Sequence, residues 1–200
     1  MWKWLYSNWN KATVFLAIYM FVFLFMYVKT KDYALFLIWL SAPVYYLHQF
    51  EEYILPGGFA PFFNKKVLGS DEDEFPLTRK DSFWINAPLT FISFPLSAIL
   101  AQYLNISIGL WAVYFSIMNS LSHMVMFFLF KFKYNPGLIA SVFLNVPVGT
   151  YTVCYFHTHH VVSMQAQSIG LVIGITGQAL LMFWGFKILK PKIKNSKITH

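Results

Sequence analysis

Hydrophobic residues come in long runs along this chain, and polar residues fall mostly between them. Runs close to the roughly 20 residues needed to cross a bilayer occupy 12–28, 33–55, 83–104, 106–130, 138–156 and 166–186. The pattern predicts an all-α integral membrane protein, a polytopic bundle of about six transmembrane helices. The connections after the first, third, fourth and fifth runs are short, and no internal repeat is present. Residues 1–200 are therefore expected to form a single transmembrane domain. Lys3 and Lys11 precede the first run as in a secretory leader, but "MYVKTKD" after it lacks a small-residue cleavage pattern, so the run is read as a retained span.

Composition strengthens this reading. With 58% hydrophobic, 20% aromatic and only 12% charged residues, the chain has too little charge to cover a soluble domain. A net charge of +7 points to nucleic acid until the charges are placed on the six-span topology. With the amino terminus in the cytoplasm, Lys65, Lys66, Arg79, Lys80, Lys131, Lys133 and the tail lysines lie inside, and only Lys29 and Lys31 lie outside. That bias satisfies the positive-inside rule. The expectation is a plasma- or inner-membrane protein with both termini cytoplasmic, partnered by lipid and by no nucleic acid. The basic tail "KILKPKIKNSKITH" is a topological anchor near anionic headgroups. The lone cysteine, Cys154, excludes an internal disulfide and is expected to be a packed, inert thiol.

The polar residues inside the runs converge at one level. In the second run His48, Glu51 and Glu52 have spacings of three and four, which puts both carboxylates on the histidine's side of a helix. The fourth run carries a polar stripe at Ser116, Asn119, Ser120 and His123. Counting at about 1.5 Å per residue, His48 and His123 both lie roughly 10 Å from the cytoplasmic end of their helices. Asn86 begins the third run a turn inside the same boundary, and Asn145 and Gln178 lie somewhat deeper. Ionisable side chains in a bilayer face the bundle interior, pair with one another and mark function. Pro43, Pro88, Pro95 and Pro147 each free a backbone carbonyl within a run and can widen one end of the bundle. Gly170 and Gly174 form a small-xxx-small pair suited to close helix packing.

The combination resembles a family of uncharacterised membrane proteins named for an HxxEE motif, which is accompanied by a second histidine and a YxPG motif. Here these read "HQFEE" at His48–Glu52, His123, and "YNPG" at Tyr134–Gly137. The resemblance implies an activity without identifying it.

Two histidines and two glutamates at one depth suggest three chemistries. The first is a metal-dependent enzyme with hydrolase-like chemistry on a lipid or lipid-linked substrate. His48, Glu52 and His123 would bind a divalent cation, zinc above others, and Glu51 would be left free as general base. Asn86, Asn119 and Tyr134 would support them, with Tyr134 covering the mouth of the site. The second is a metal-free acid–base isomerase or cyclase acting on a lipid, and the third a proton-coupled transporter. A rival cluster, His157, His159 and His160 in "FHTHHVV", sits at the opposite end of its span, and "SDEDEF" at 70–75 reads as a solvated turn.

Overall fold

The computed structural model describes residues 1–196, and the last part of the basic tail, 197–200, lies outside the described residues. The described residues are helical with no strand. Helix α1 spans Trp2–Val28 and α2 spans Tyr33–Tyr53. A short helix α3 in the connection after α2 spans Phe59–Phe62 and continues as a wider turn through Phe63–Leu68. The remaining helices are α4 (Arg79–Tyr103), α5 (Ile106–Leu129), α6 (Leu138–Thr158) and α7 (Met164–Lys194).

Helix starts follow local chemistry. The Asp32 carboxylate accepts the Leu35 N–H at 2.9 Å at the head of α2, and Thr78 and Asp81 form a capping box at the head of α4. Ser163 accepts the Ala166 N–H at the head of α7. Each satisfies an amide that the first turn leaves without an intrahelical partner. Pro95 and Pro147 each follow a wide five-residue turn, Leu89–Ser93 and Ser141–Asn145, where the helix accommodates the hydrogen bond that proline cannot donate.

Among the described residues five helices, α1, α4, α5, α6 and α7, are long and apolar enough to cross a membrane. Their outward faces expose large apolar side chains such as Phe15, Phe143 and Val172, the kind of surface that a bilayer covers. The remaining predicted span, the second run and here α2, differs. Its 21 residues measure about 31 Å, but the polar stretch from His48 to Glu52 lowers its hydropathy. It packs against α1, α4, α5 and α6, and fifteen of its residues are buried. Protein rather than lipid surrounds it, which is why it tolerates two carboxylates.

The two ends of α2 differ sharply. Leu35 to Val44 sit in an apolar core with Ala98, Leu110, Val113 and Phe156, whereas the His48 end is polar. α7 docks on α5 through Gly170 and Gly174. A Cβ added at Gly174 would lie 2.7 Å from the Phe115 backbone nitrogen, so only glycine permits this approach. Helix α3 was not predicted, although the glycines that bracket "FAPFFNKKVL" mark its ends. It folds back as a flap whose Phe63 and Leu68 pack with Leu77 and Leu189. Asn64, fully buried, ties the flap down: its amide donates to the Asp73 and Leu77 carbonyls at 2.8 and 3.0 Å and accepts the Leu77 N–H at 2.8 Å. The acidic turn does not stand alone in solvent, because Asp73 pairs with Lys65 at 2.8 Å and Glu74 accepts hydrogen bonds from Arg79. Cys154 is exposed, contrary to the packed thiol expected, because it lies on another face of α6 from the buried Thr152 and Phe156.

Candidate metal centre

The last two turns of α2 face α5. His48 and Glu52, four residues apart, lie one above the other on the helix surface, and His123 meets them from α5. The Glu52 Oε1 lies 3.2 Å from His123 Nε2 and 3.5 Å from His48 Nε2. One donor atom of each residue falls within 4.8 Å of the other two, and all three residues are buried. The imidazole rings meet nearly perpendicular, with centroids 4.9 Å apart. Tyr45 lies against the His48 ring and Phe59 of the flap against that of His123.

Two buried amides orient these groups. Asn135 donates from Nδ2 to the His123 carbonyl at 3.0 Å, which turns its Oδ1 toward His123 Nδ1 at 2.8 Å. An acceptor at that position requires Nδ1 to carry hydrogen, so Nε2 is the nitrogen directed at Glu52. Gln49 donates to the other oxygen of Glu52, Oε2, at 2.6 Å. Neither ring nitrogen of His48 has a hydrogen-bond partner among the described residues, an expensive state for a buried polar group. The arrangement brings two imidazoles to one carboxylate oxygen and calls for a proton or a cation between them.

The YNPG segment closes the site from the side of α6. Gly137 has φ +98°, a left-handed conformation, and a Cβ there would lie 2.6 Å from His123 Cε1, 2.8 Å from His48 Cε1 and 3.0 Å from Glu52 Cγ. Its missing side chain is the space that these three residues fill. The YNPG turn is thus also the wall of the site.

The adjacent glutamates part company, since consecutive residues on a helix point about 100° apart. Glu51 turns toward α6, where its carboxylate accepts the Tyr134 hydroxyl at 2.8 Å and the backbone N–H groups of Ile139 and Ala140 at 3.0 and 2.5 Å. Those amides belong to the first turn of α6, which lacks internal acceptors and favours negative charge. Burial and the Glu51 carboxylate beside it push the Tyr134 phenol up, keeping it a hydroxyl donor. Glu51, expected as a free base, is committed to the YNPG turn. The side-chain hydrogen bond of Tyr134 goes to Glu51 and not to a member of the triad.

Asn86 donates to the Tyr53 hydroxyl at 2.9 Å and to the Ser82 carbonyl at 3.0 Å, and Asn119 donates to Gln178 at 3.4 Å. Both were expected to hydrogen-bond the triad. Their depth is right, but they point into a small neighbouring cavity of about 80 Å³ that Glu52, Tyr45 and Tyr53 also line. The residues that do hold the triad, Asn135 and Gln49, occupy positions that HxxEE and YxPG leave open. Their signal was adjacency: an amide inside each motif. At the opposite end of α6, His157 contacts the Met164 sulfur at 3.2 Å and His159 stacks on Tyr155 with centroids 4.0 Å apart. All three outer histidines are exposed.

A family model described as "Protein of unknown function with HXXEE motif" matches residues 39–152, a stretch that contains the triad, Glu51 and the YNPG turn. No curated protein and no solved structure matches the chain.

Proposed function

The chain belongs to the family of proteins with the HXXEE motif, and on that premise we propose that it is a membrane enzyme. Its centre is a divalent cation held by His48, Glu52 and His123, with hydrolytic chemistry on a lipid or lipid-linked substrate. The observation that carries this reading is the meeting of three buried donors with too little hydrogen to separate them. His123 Nε2 faces Glu52 Oε1 with its own proton fixed on the far nitrogen, and His48 finds no hydrogen-bond partner.

A cation fits the donor set. Ligands bound at about 2.0–2.1 Å to a tetrahedral zinc stand roughly 3.3 Å from one another, and the two imidazole–carboxylate separations here are 3.2 and 3.5 Å. Two imidazoles and one carboxylate leave a coordination position open, as catalytic zinc sites do. Such an ion supplies Lewis acidity toward a carbonyl or phosphoryl oxygen.

The protein's own residues hold and shield the centre. Asn135 fixes the tautomer and ring plane of His123, and Gln49 holds Oε2 so that Oε1 faces the histidines. Gly137 lets the α6 turn seat directly against the triad, and Glu51 locks that turn in place. Tyr53, Asn86 and Asn119 provide polar groups around the adjacent cavity, where they can orient a substrate's polar part, and Phe59 and Phe63 restrict water. The lysine-rich connections at this end support a site in the cytoplasmic half of a plasma or inner membrane, with both termini inside.

The second reading is a metal-free isomerase or cyclase in which Glu52 and the imidazoles share a proton. The same ion-pair contacts favour it. A proton-coupled carrier is the weaker alternative, since the other half of α2 is sealed in apolar packing and offers no polar path across.

The test is an unbiased reaction. Protein in mild detergent is incubated with a membrane lipid extract and the lipids are compared by mass spectrometry. The expected result is a species consumed and a product formed by wild type and by neither Glu52→Ala nor chelator-treated protein. Turnover that persists with chelator but is lost in Glu52→Ala selects the metal-free enzyme, and no change in any lipid contradicts both.

A further inference from the structure

The cavity beside Glu52 is not isolated. Gln178 and Met182 line it and also line a larger apolar groove of about 500 Å³ between α5 and α7. α5 and α7 are drawn together at Gly170 and Gly174, and the groove lies nearer the site end, where Leu121, Val125 and Ile175 are exposed toward the bilayer. Its volume is within the roughly 300–1,000 Å³ of small-molecule sites. On its other side the cavity shares Tyr53, Phe59 and Leu77 with a polar recess of about 370 Å³ between the start of α1 and the flap, lined also by Ser7, Asn10 and Arg79. The cavity thus lies between an apolar groove and a polar recess and shares a wall with each.

The threshold between groove and cavity is polar. Asn119 donates to Gln178, which donates to Ser122 at 2.9 Å. Asn119 Oδ1 is buried with no hydrogen-bond partner among the described residues. A polar chain at the inner end of an apolar groove, presenting an unused acceptor, suits the junction of a hydrocarbon chain and a head that carries a hydroxyl or amide N–H.

Resting on the enzyme reading above, we infer that the site takes a lipid laterally from the bilayer. The hydrocarbon chain lies in the α5–α7 groove, the chain–head junction at Asn119 and Gln178, and the head in the cavity over Glu52, open to the polar recess. This assigns the substrate class, a lipid with a hydroxyl or N–H at that junction, and makes Asn119 and Gln178 determinants of specificity.

The full-length protein is reconstituted in phosphatidylcholine vesicles with a monoacylglycerol that carries a photoactivatable diazirine in its chain, and the labelled residues are mapped by mass spectrometry. Labelling is expected at Val125, Ile175 and Met182 in excess over Phe15 and Val172, which face lipid outside the groove. Unlabelled monoacylglycerol should compete it away, and Ala179→Trp, an exposed groove position, should abolish it without changing labelling of Phe15. Equal labelling of groove and control positions, or groove labelling that excess lipid does not reduce in wild type, overturns the inference. Metal content is measured on the same samples. Groove labelling that persists in wild type found to hold no metal upholds the lipid site while removing the metal reading.

Discussion

The Tyr134 hydroxyl donates to Oε1 of Glu51 at 2.8 Å across 83 residues of sequence, and in doing so joins the two motifs of the chain. HxxEE lies on α2 and YNPG in the turn before α6. Glu51 holds that turn through its hydroxyl and through two backbone amides, and the turn in turn carries Asn135 and Gly137 to the triad.

Removing this latch should therefore cost stability before it costs chemistry. Hydrogen bonds to a charged group are worth about 1.5–3 kcal/mol each, and losing several that share one acceptor in Glu51→Ala should destabilise the protein by roughly 3 kcal/mol. Tyr134→Phe should cost about 1 kcal/mol. Unfolding in mixed micelles measures both. A Glu51→Ala protein of wild-type stability with no turnover would instead restore the free-base role.

Asn135→Ala frees the His123 ring and its tautomer. Partners of this kind typically contribute about 10–100-fold to metal affinity, and a loss of that size is expected from competition with a chelator. Asn135→Asp keeps an acceptor on Nδ1 and should recover part of it. Unchanged affinity in Asn135→Ala would mean that the ring is held by packing alone.

Much of this site could be read from residue spacing. The run lengths gave the helices, and counting from helix ends put His48 and His123 at one depth, where they meet. Depth does not determine direction. Asn86 and Asn119 were placed at the right level but hydrogen-bond other partners, and the divergence of Glu51 from Glu52 becomes visible only once α6 is packed beside α2. Helix α3 is not legible in the sequence because a ten-residue aromatic stretch with two lysines has neither the length of a span nor the polarity of a loop. α2 itself is less apolar than the other long helices for the same reason that it matters, since its polar turns are shielded by other helices.

Gly137→Ala should be far more damaging than an ordinary glycine substitution. A positive φ costs a non-glycine residue about 1 kcal/mol, and overpacking against the two imidazoles adds about 1–3 kcal/mol. Gly69 provides the control: its φ is +81° but nothing lies within 4 Å of an added Cβ, so Gly69→Ala should show the backbone cost alone. Equal losses in the two variants would show that the turn does not press on the triad.

Asn64→Ala should release the flap. Losing three hydrogen bonds from a buried amide is expected to cost about 2–3 kcal/mol and to speed tryptic cleavage at Lys65 and Lys66. Cleavage at the wild-type rate would indicate that apolar contacts of Phe63 and Leu68 suffice to hold it.

Metal stoichiometry tests the central claim most directly. Elemental analysis of protein purified in mild detergent should find close to one equivalent of zinc or another divalent ion per chain. His48→Ala, Glu52→Ala and His123→Ala should each lose it while remaining folded, and a variant with His157, His159 and His160 all changed to alanine should keep it. Folded, active wild-type protein without metal, or metal that survives His48→Ala and is lost with the outer histidines, would contradict a cation centre at His48, Glu52 and His123.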